Sequence, residues 1–208
     1  MDSATTPGLR ERKKRQTRQR LQATAMAMFD ERGFDGVTVT EIAAAADVSP
    51  ATVFNYFPTK EDLVLHGMAQ YREHLVASLR DRPADQSLPA AFRELLRRPG
   101  GVLADEDPAG IERLLQARRV IAGSPSLQAR EEAQFAAIAD DLAALAADGH
   151  VEGVLPRFLG AAMAGVLRAV GQEVHRLAVA GRSGSEIADL VIPQGVRAVE
   201  LLERGLTG

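Results

Sequence analysis

The spacing of apolar residues near the start of the chain predicts an amphipathic helix. Leu21, Ala25, Met28 and Phe29 recur at i, i+4, i+7 and i+8, which places them on one face of a helix that runs from about residue 16 to residue 32. Gly33 follows as the residue expected to end it, because glycine adopts the backbone conformation of a helix C-terminus without a steric cost.

Two short helices follow, and each begins with a capping residue. Thr38 and Glu41 are three positions apart, so the hydroxyl and the carboxylate can satisfy each other's free backbone amides at the start of a helix. Ser49 supplies the next cap, Pro50 occupies a first helical turn, and Pro58 ends that helix. Two short helices joined by a tight turn indicate a helix-turn-helix, in which the second helix enters the major groove of DNA.

The residues around the turn fit this arrangement. Ala43 is small where the two helices must approach each other, and Ile42, Val48 and Val53 can form the apolar seam between them. Asp47 lies where the chain should turn with a positive φ, a conformation that glycine adopts most easily and that Asp tolerates. We therefore expect a tight turn centred on Asp47.

Longer helices separated by proline and glycine make up the rest of the chain. A fourth helix begins at the Thr59–Asp62 cap and extends to about Leu79. Ala, Leu, Arg and Glu dominate the composition, and these residues favour helices over strands. The sequence therefore predicts an all-α fold, with further helices at about 87–98, 108–121, 125–147, 156–180 and 185–204.

The charge of the chain is distributed unevenly. The net charge is −3, yet residues 9–20 carry seven basic side chains and a single acidic one. We predict that residues 1–15 form a flexible basic arm, and that Arg12, Arg15 and Arg18 follow the DNA backbone or enter a minor groove. A solvated, disordered tail without a binding role is the alternative.

Several functional classes are excluded or disfavoured by what the sequence lacks. There is no cysteine, hence no disulfide framework and no thiolate metal site, and the four histidines lack the spacing of metal ligands. No Walker loop, dinucleotide-binding glycine motif or Gly-x-Ser-x-Gly motif is present. Neither a secretory signal nor a long apolar run is evident, so we expect a soluble, cytoplasmic protein without a metal or cofactor.

Residues 33–64 read GFDGVTVTEIAAAADVSPATVFNYFPTKEDLV, and this segment resembles the DNA-binding segment of the TetR family of bacterial repressors. The similarity extends over about residues 16–66. It departs from the common pattern at Asp47, where glycine is usual, and at Phe54-Asn55, where a tyrosine pair is frequent.

The resemblance implies a three-helix DNA-binding domain at residues 16–60 and a helical ligand-binding and dimerisation domain at residues 61–208. It implies a homodimer, formed through the helices at about 156–180 and 185–204, that binds a palindromic double-stranded operator in the bacterial cytoplasm, at the nucleoid. A small-molecule effector would release it. A regulator without a functional ligand pocket, and an enzyme that carries a helix-turn-helix, are the alternatives.

Carried over by position, the resemblance assigns DNA contacts to the two short helices and their flanks. Ser49 and Thr38 have a second reading as simple N-caps, and Phe54 has one as a core residue, whereas Val53 and Phe57 belong to the core. A thymine methyl group is a suitable partner for the apolar members, and base edges or phosphates suit the hydroxyl groups. The implied DNA-binding residues beyond the arm are Thr38, Thr40, Ser49, Pro50, Ala51, Thr52, Phe54, Asn55, Tyr56 and Lys60.

Signals in the second domain are weaker. The helix at about 156–180 carries many small residues, which either a dimer interface or an intramolecular helix crossing requires. The family's effector cavity suggests a set of pocket walls, with ordinary core packing as the other reading of each residue. These candidate pocket residues are Met68, Tyr71, Leu75, Leu115, Phe135, Met163 and Leu167.

Overall fold

The computed structural model of the chain describes residues 8–98, 100–104, 108–149 and 151–207. Within them there are helices and no β-strand, so the all-α prediction is confirmed. None of the described helices combines the length and the apolar character needed to cross a lipid bilayer. Among the residues that the structure describes, a short 3-10 helix, Gly101–Leu103, accompanies nine α-helices: α1 Leu9–Arg32, α2 Val39–Ala45, α3 Pro50–Tyr56, α4 Asp62–Arg80, α5 Leu88–Leu96, α6 Pro108–Ala122, α7 Pro125–Asp148, α8 Leu155–Val179 and α9 Gly184–Thr207.

The first helix is longer than the apolar pattern predicts. It begins at Leu9 and not near residue 16, so residues 10–15 of the predicted arm form its first turns. These turns hold Arg, Lys and Glu, which favour helices, and neither glycine nor proline interrupts them. Residues 1–7 of the predicted arm lie outside the described residues. The end of α1 is as predicted, because the N–H of Gly33 donates to the carbonyl of Phe29 at 2.9 Å.

The chain divides into two compact units, and the first holds the helix-turn-helix. It comprises the described residues up to His66 together with Arg119–Leu127, the corner between α6 and α7. The corner is tied to α1 by an ion pair in which Arg119 donates to Asp30 at 2.9 Å, and Ser124 within it is fully buried. The sequence places this segment in the second domain, and the domain boundary at residue 60 stays a prediction. The fully buried side chains of this unit include Leu21, Phe29, Ile42, Phe57, Leu63 and Leu127.

The second unit comprises Gly67–Arg118 and the residues from Gln128 onward. Its larger apolar cluster includes Leu75, Phe92, Leu142, Met163 and Val199 from five different helices. A smaller cluster forms around Val174, Ile187 and Val191 of α8 and α9. Helix α9 packs against α5 and α8. The predicted bounds of these helices agree with the structure to within three residues at either end.

Candidate DNA-binding surface

Helix α2 begins with a complete capping box. The N–H of Glu41 donates to Thr38 Oγ1 at 3.2 Å, and the N–H of Thr38 donates to Glu41 Oε2 at 2.8 Å. The guanidinium of Arg32 donates to the other oxygen of Glu41 at 2.7 Å. The Thr38 hydroxyl, which donates to Glu41 Oε2 at 2.7 Å, lowers the pKa of Glu41 most, and together with the Thr38 amide and the Arg32 guanidinium it lowers that pKa from 4.5 to about 2. The N-cap role predicted for Thr38 is confirmed, and its phosphate contact stays a prediction.

The turn between the two short helices has the predicted backbone conformation. Asp47 adopts a φ of 52°, and the other described non-glycine residues all have a negative φ. The following amide, that of Val48, donates to the carbonyl of Ala43 at 3.0 Å and closes the turn. Ala43 is buried where the helices meet. The chain therefore reverses tightly enough to present α3 beside α2.

Helix α3 is held at its start by Ser49 and on its inner side by apolar packing. Ser49 Oγ accepts the N–H of Thr52 at 3.1 Å, and the two hydroxyl oxygens are 2.8 Å apart. Pro50 occupies the first turn, as predicted. Val53 and Phe57 are buried, which confirms their assignment to the core. The inner side of α3 is therefore fixed by Val53.

Much of the remaining surface of α3 is open. Pro50, Ala51, Phe54 and Asn55 are exposed. Phe54 keeps 49% of its surface accessible, so its reading as a core residue is wrong. Burying an aromatic ring normally contributes substantial hydrophobic stabilisation. An exposed ring on a short helix beside polar side chains therefore indicates a surface that contacts a partner. The outward face of α3 is thus a mixed apolar and polar surface.

Two basic side chains flank this surface against aromatic rings. The guanidinium carbon of Arg18 lies 6.0 Å from the centre of the half-buried Tyr56 ring. The ammonium of Lys60 lies 4.1 Å from the centre of the Phe34 ring and 5.8 Å from that of Phe29. All three are cation–π distances. Such contacts hold the two charged groups in place without neutralising them. The phosphate contacts predicted for Tyr56 and Lys60 stay predictions.

The remaining predicted DNA contacts are exposed. Thr40 is exposed in the first turn of α2, and Arg12 and Arg15 are exposed in the first turns of α1. Because α1 is helical from Leu9, these arginines lie on a helix and not on a flexible arm. Four partnerships of this unit were not predicted from the sequence: Arg32 with Glu41, Arg119 with Asp30, Arg18 with Tyr56, and Lys60 with Phe34. Each joins side chains that are distant along the chain, so local pattern carries no signal for it.

The seven candidate pocket residues do not all lie together in the second unit. Met68, Leu75, Phe135, Met163 and Leu167 belong to its larger apolar cluster, in which Leu75 and Met163 are fully buried. Leu115 packs against the smaller cluster, and Tyr71 keeps 43% of its surface exposed. The guanidinium of Arg168 covers the Phe135 ring at 4.4 Å and is paired with Glu132. The role of these residues as pocket walls stays a prediction.

The small residues of α8 divide between two surfaces. Gly160 and Ala164 are buried, and a methyl group added at Gly160 would lie 2.2 Å from the carbonyl oxygen of Ala139 on α7. At Gly160 the helix crossing is therefore intramolecular. Gly165 and Ala169 are exposed instead and line an open groove of about 480 Å³ between α8 and α9. The other residues of this groove are Ala162, Val166, Val170, Glu173, Val191, Gln194, Gly195, Ala198, Leu201 and Leu202.

A helix-turn-helix that is packed against a longer helix, has an exposed second helix and is flanked by basic side chains defines a DNA-binding transcription regulator. Residues 21–66 match the family described as bacterial regulatory proteins, tetR family. The regulator TcmR of Streptomyces glaucescens is 33% identical over 197 residues, which cover 85% of this chain and 84% of that protein. RutR of Escherichia coli K12 is 29% identical over 142 residues, 68% of this chain and 66% of RutR.

Comparison of folds agrees with comparison of sequences. A TetR-family regulator from Mesorhizobium loti has a TM-score of 0.52 at 23% identity and covers 91% of this chain and 97% of its own. The efflux-pump repressor NalD of Pseudomonas aeruginosa has a TM-score of 0.51 at 19% identity, over 88% of this chain and 96% of NalD. The chain belongs to the TetR family of transcriptional regulators. Its named relatives are regulators and not enzymes.

Proposed function

We propose that the chain is a repressor that binds a palindromic operator as a homodimer and is released by a small-molecule effector. The observation that carries the DNA-binding part is the outward face of α3, where Ala51, Phe54 and Asn55 are exposed, whereas Val53 is buried and marks the inner side. A recognition helix needs such an accessible face to reach base edges in the major groove. The arginines at the start of α1 would add contacts to phosphates that do not depend on sequence.

A binding measurement at two salt concentrations tests this division of roles. The probes are the intergenic duplex beside the gene that encodes the chain and a random duplex of equal length. Phe54→Ala and Thr52→Ala should weaken binding to the intergenic duplex more than to the random one. Arg12→Ala should weaken both about equally and reduce the dependence of log K on log salt by about two, because a dimer loses two phosphate contacts.

The exposed Arg130 of α7 supplies a matched control, since Arg130→Ala removes the same charge from a helix of the second unit. It should leave both affinities and the salt dependence close to those of the wild type. Equal loss on specific and random DNA for the α3 variants would contradict the proposed base contacts. A wild-type chain that ignores both duplexes at low salt would contradict DNA binding altogether.

The homodimer rests on the open groove between α8 and α9. Gly165 and Ala169 leave it shallow enough for close helix approach, and the large apolar side chains Phe158 and Leu201 are exposed by more than half on the same two helices. A second copy of the chain would cover this face in an isologous contact, and two-fold symmetry would present α3 to both halves of a palindrome.

Introducing a charge into the groove tests the dimer. Ala169→Glu should shift the molar mass measured by light scattering from that of a dimer toward that of a monomer, because the carboxylate would be buried without a partner. The exposed Ala144 of α7 offers the matched control Ala144→Glu, which should remain dimeric. A monomeric wild type, or a dimeric Ala169→Glu at low micromolar concentration, would contradict this interface.

The effector is supported by the apolar cluster of the second unit, which holds five of the seven candidate pocket residues. Adaptable Met68 and Met163 beside the Phe135 ring suit an apolar or aromatic compound. The complete burial of Leu75 and Met163 favours the alternative, a regulator without a functional pocket. A panel of apolar metabolites would separate the two: a binding compound raises the melting temperature and lowers operator affinity, whereas a closed core responds to none.

A further inference from the structure

The chain's only asparagine, Asn55, is exposed on the side of α3 that lies away from the core of its own unit. Successive residues of an α-helix are about 100° apart around its axis, so Ala51 and Asn55, each two positions from Val53, lie about 200° from it. Val53 is 1% exposed and marks the inner side of α3, whereas Ala51 and Asn55 are both exposed. The side chain of Ala51 is a single methyl group, so among the neighbours of Asn55 on this face of α3 it leaves the amide accessible.

The other polar side chains of α3, those of Thr52 and Tyr56, have contacts within the protein. The hydroxyl groups of Thr52 and its cap Ser49 are 2.8 Å apart, and the Ser49 oxygen also accepts the Thr52 amide. The ring of half-buried Tyr56 lies on the flank near Arg18. In the part of the chain that the structure describes, the amide of Asn55 has no hydrogen-bond partner. Its donor and its acceptor are therefore both available to a ligand.

We infer that Asn55 reads one adenine in each operator half-site. Its Oδ1 accepts from the adenine N6 amino group while its Nδ2 donates to N7, a pairing that the major-groove edges of the other bases do not offer. Phe54 and Ala51 stand beside it, and their apolar surfaces suit the methyl group of a thymine. The half-site accordingly contains an A·T pair at the position below Asn55. This inference rests on the proposed function, because it requires α3 to enter the groove.

Selection from a library of random duplexes tests the assignment without knowledge of the operator. The full-length wild type should select a palindromic motif with an invariant A·T pair in each half-site. Asn55→Ala should select the same motif with that single position relaxed, because a bidentate contact discriminates against other bases by about 5-fold to about 150-fold. Circular dichroism and melting should match the wild type, since an exposed side chain is removed.

Replacing the selected adenine by 7-deazaadenine removes the N7 acceptor and keeps the base pair. The wild type should lose affinity for this duplex, and Asn55→Ala should bind both duplexes equally. Arg12→Ala is the control for a phosphate contact: it should lower affinity for every sequence and keep the wild-type motif.

Four outcomes would overturn the inference. An unchanged motif for Asn55→Ala, or a uniform loss of affinity at every sequence, would mean that the amide contacts a phosphate or nothing. Equal loss of affinity for the 7-deazaadenine duplex by wild type and Asn55→Ala would mean that another group reads N7. A wild type that selects no motif at all would overturn the proposed function itself, so the two failures are distinguishable.

Discussion

Gly160 offers the sharpest test of how the second unit is packed. An added Cβ would lie 2.2 Å from the carbonyl oxygen of Ala139 and 2.7 Å from the backbone nitrogen of Ala143. Both are backbone atoms of α7 and cannot rotate away, so Gly160→Ala must push α8 from α7. Overpacking of a tight core typically costs about 1 to 3 kcal/mol, and a contact with two backbone atoms belongs at the upper end of that range.

The opposing effect is the helix propensity of alanine, which favours Gly→Ala in a helix interior by about 1 kcal/mol. The net expectation for Gly160→Ala is therefore a loss of about 2 kcal/mol in the free energy of unfolding. Gly171 of the same helix is the matched control, because its added Cβ would find its nearest neighbour, a guanidinium nitrogen of Arg118, at 4.0 Å. Gly171→Ala should gain up to about 1 kcal/mol.

Denaturation by guanidinium, followed by the helical circular dichroism signal, measures both variants. Protein concentration must be held constant, since the stability of a dimer depends on it. A Gly160→Ala protein as stable as the wild type, or as stable as Gly171→Ala, would refute the backbone contact between α7 and α8. Loss of stability in both variants to the same degree would refute the use of Gly171 as an unhindered site.

Two further predictions concern the helix-turn-helix. Asp47→Gly should raise the free energy of unfolding by up to about 1 kcal/mol, because glycine adopts the φ of 52° without the strain that a side chain brings. Chemical denaturation measures this difference, and a decrease in the free energy of unfolding would contradict the positive φ at Asp47. The folded-state pKa of Glu41 is lowered from 4.5 to about 2, so its stabilising effect is complete above pH 4.5 and is lost as the pH falls toward 2. Glu41→Gln should therefore flatten the dependence of melting temperature on pH in that window, and an unchanged acid limb would show that the capping box is not the cause.

The sequence by itself determined the features that depend on neighbours three or four residues away. The capping pairs Thr38–Glu41 and Ser49–Thr52 and the reversal at Asp47 have this property, and all three are present in the structure. The bounds of the longer helices follow the same rule, because proline and glycine act on the backbone directly. Apolar periodicity failed at the start of α1, where residues 10 and 12–16 are helical although their side chains are exposed.

Tertiary structure alone decided the surroundings of side chains that share the same local sequence pattern. The small residues of α8 have one local signature, yet Gly160 crosses α7 whereas Gly165 is open. Phe54 and Val53 are neighbours in sequence, and only packing against the rest of the unit buries one and exposes the other. Lys60 lies over Phe34 because distant segments meet there. Local sequence sets the direction of a side chain on its helix, but its surroundings belong to other helices, whose arrangement depends on the packing of the whole core.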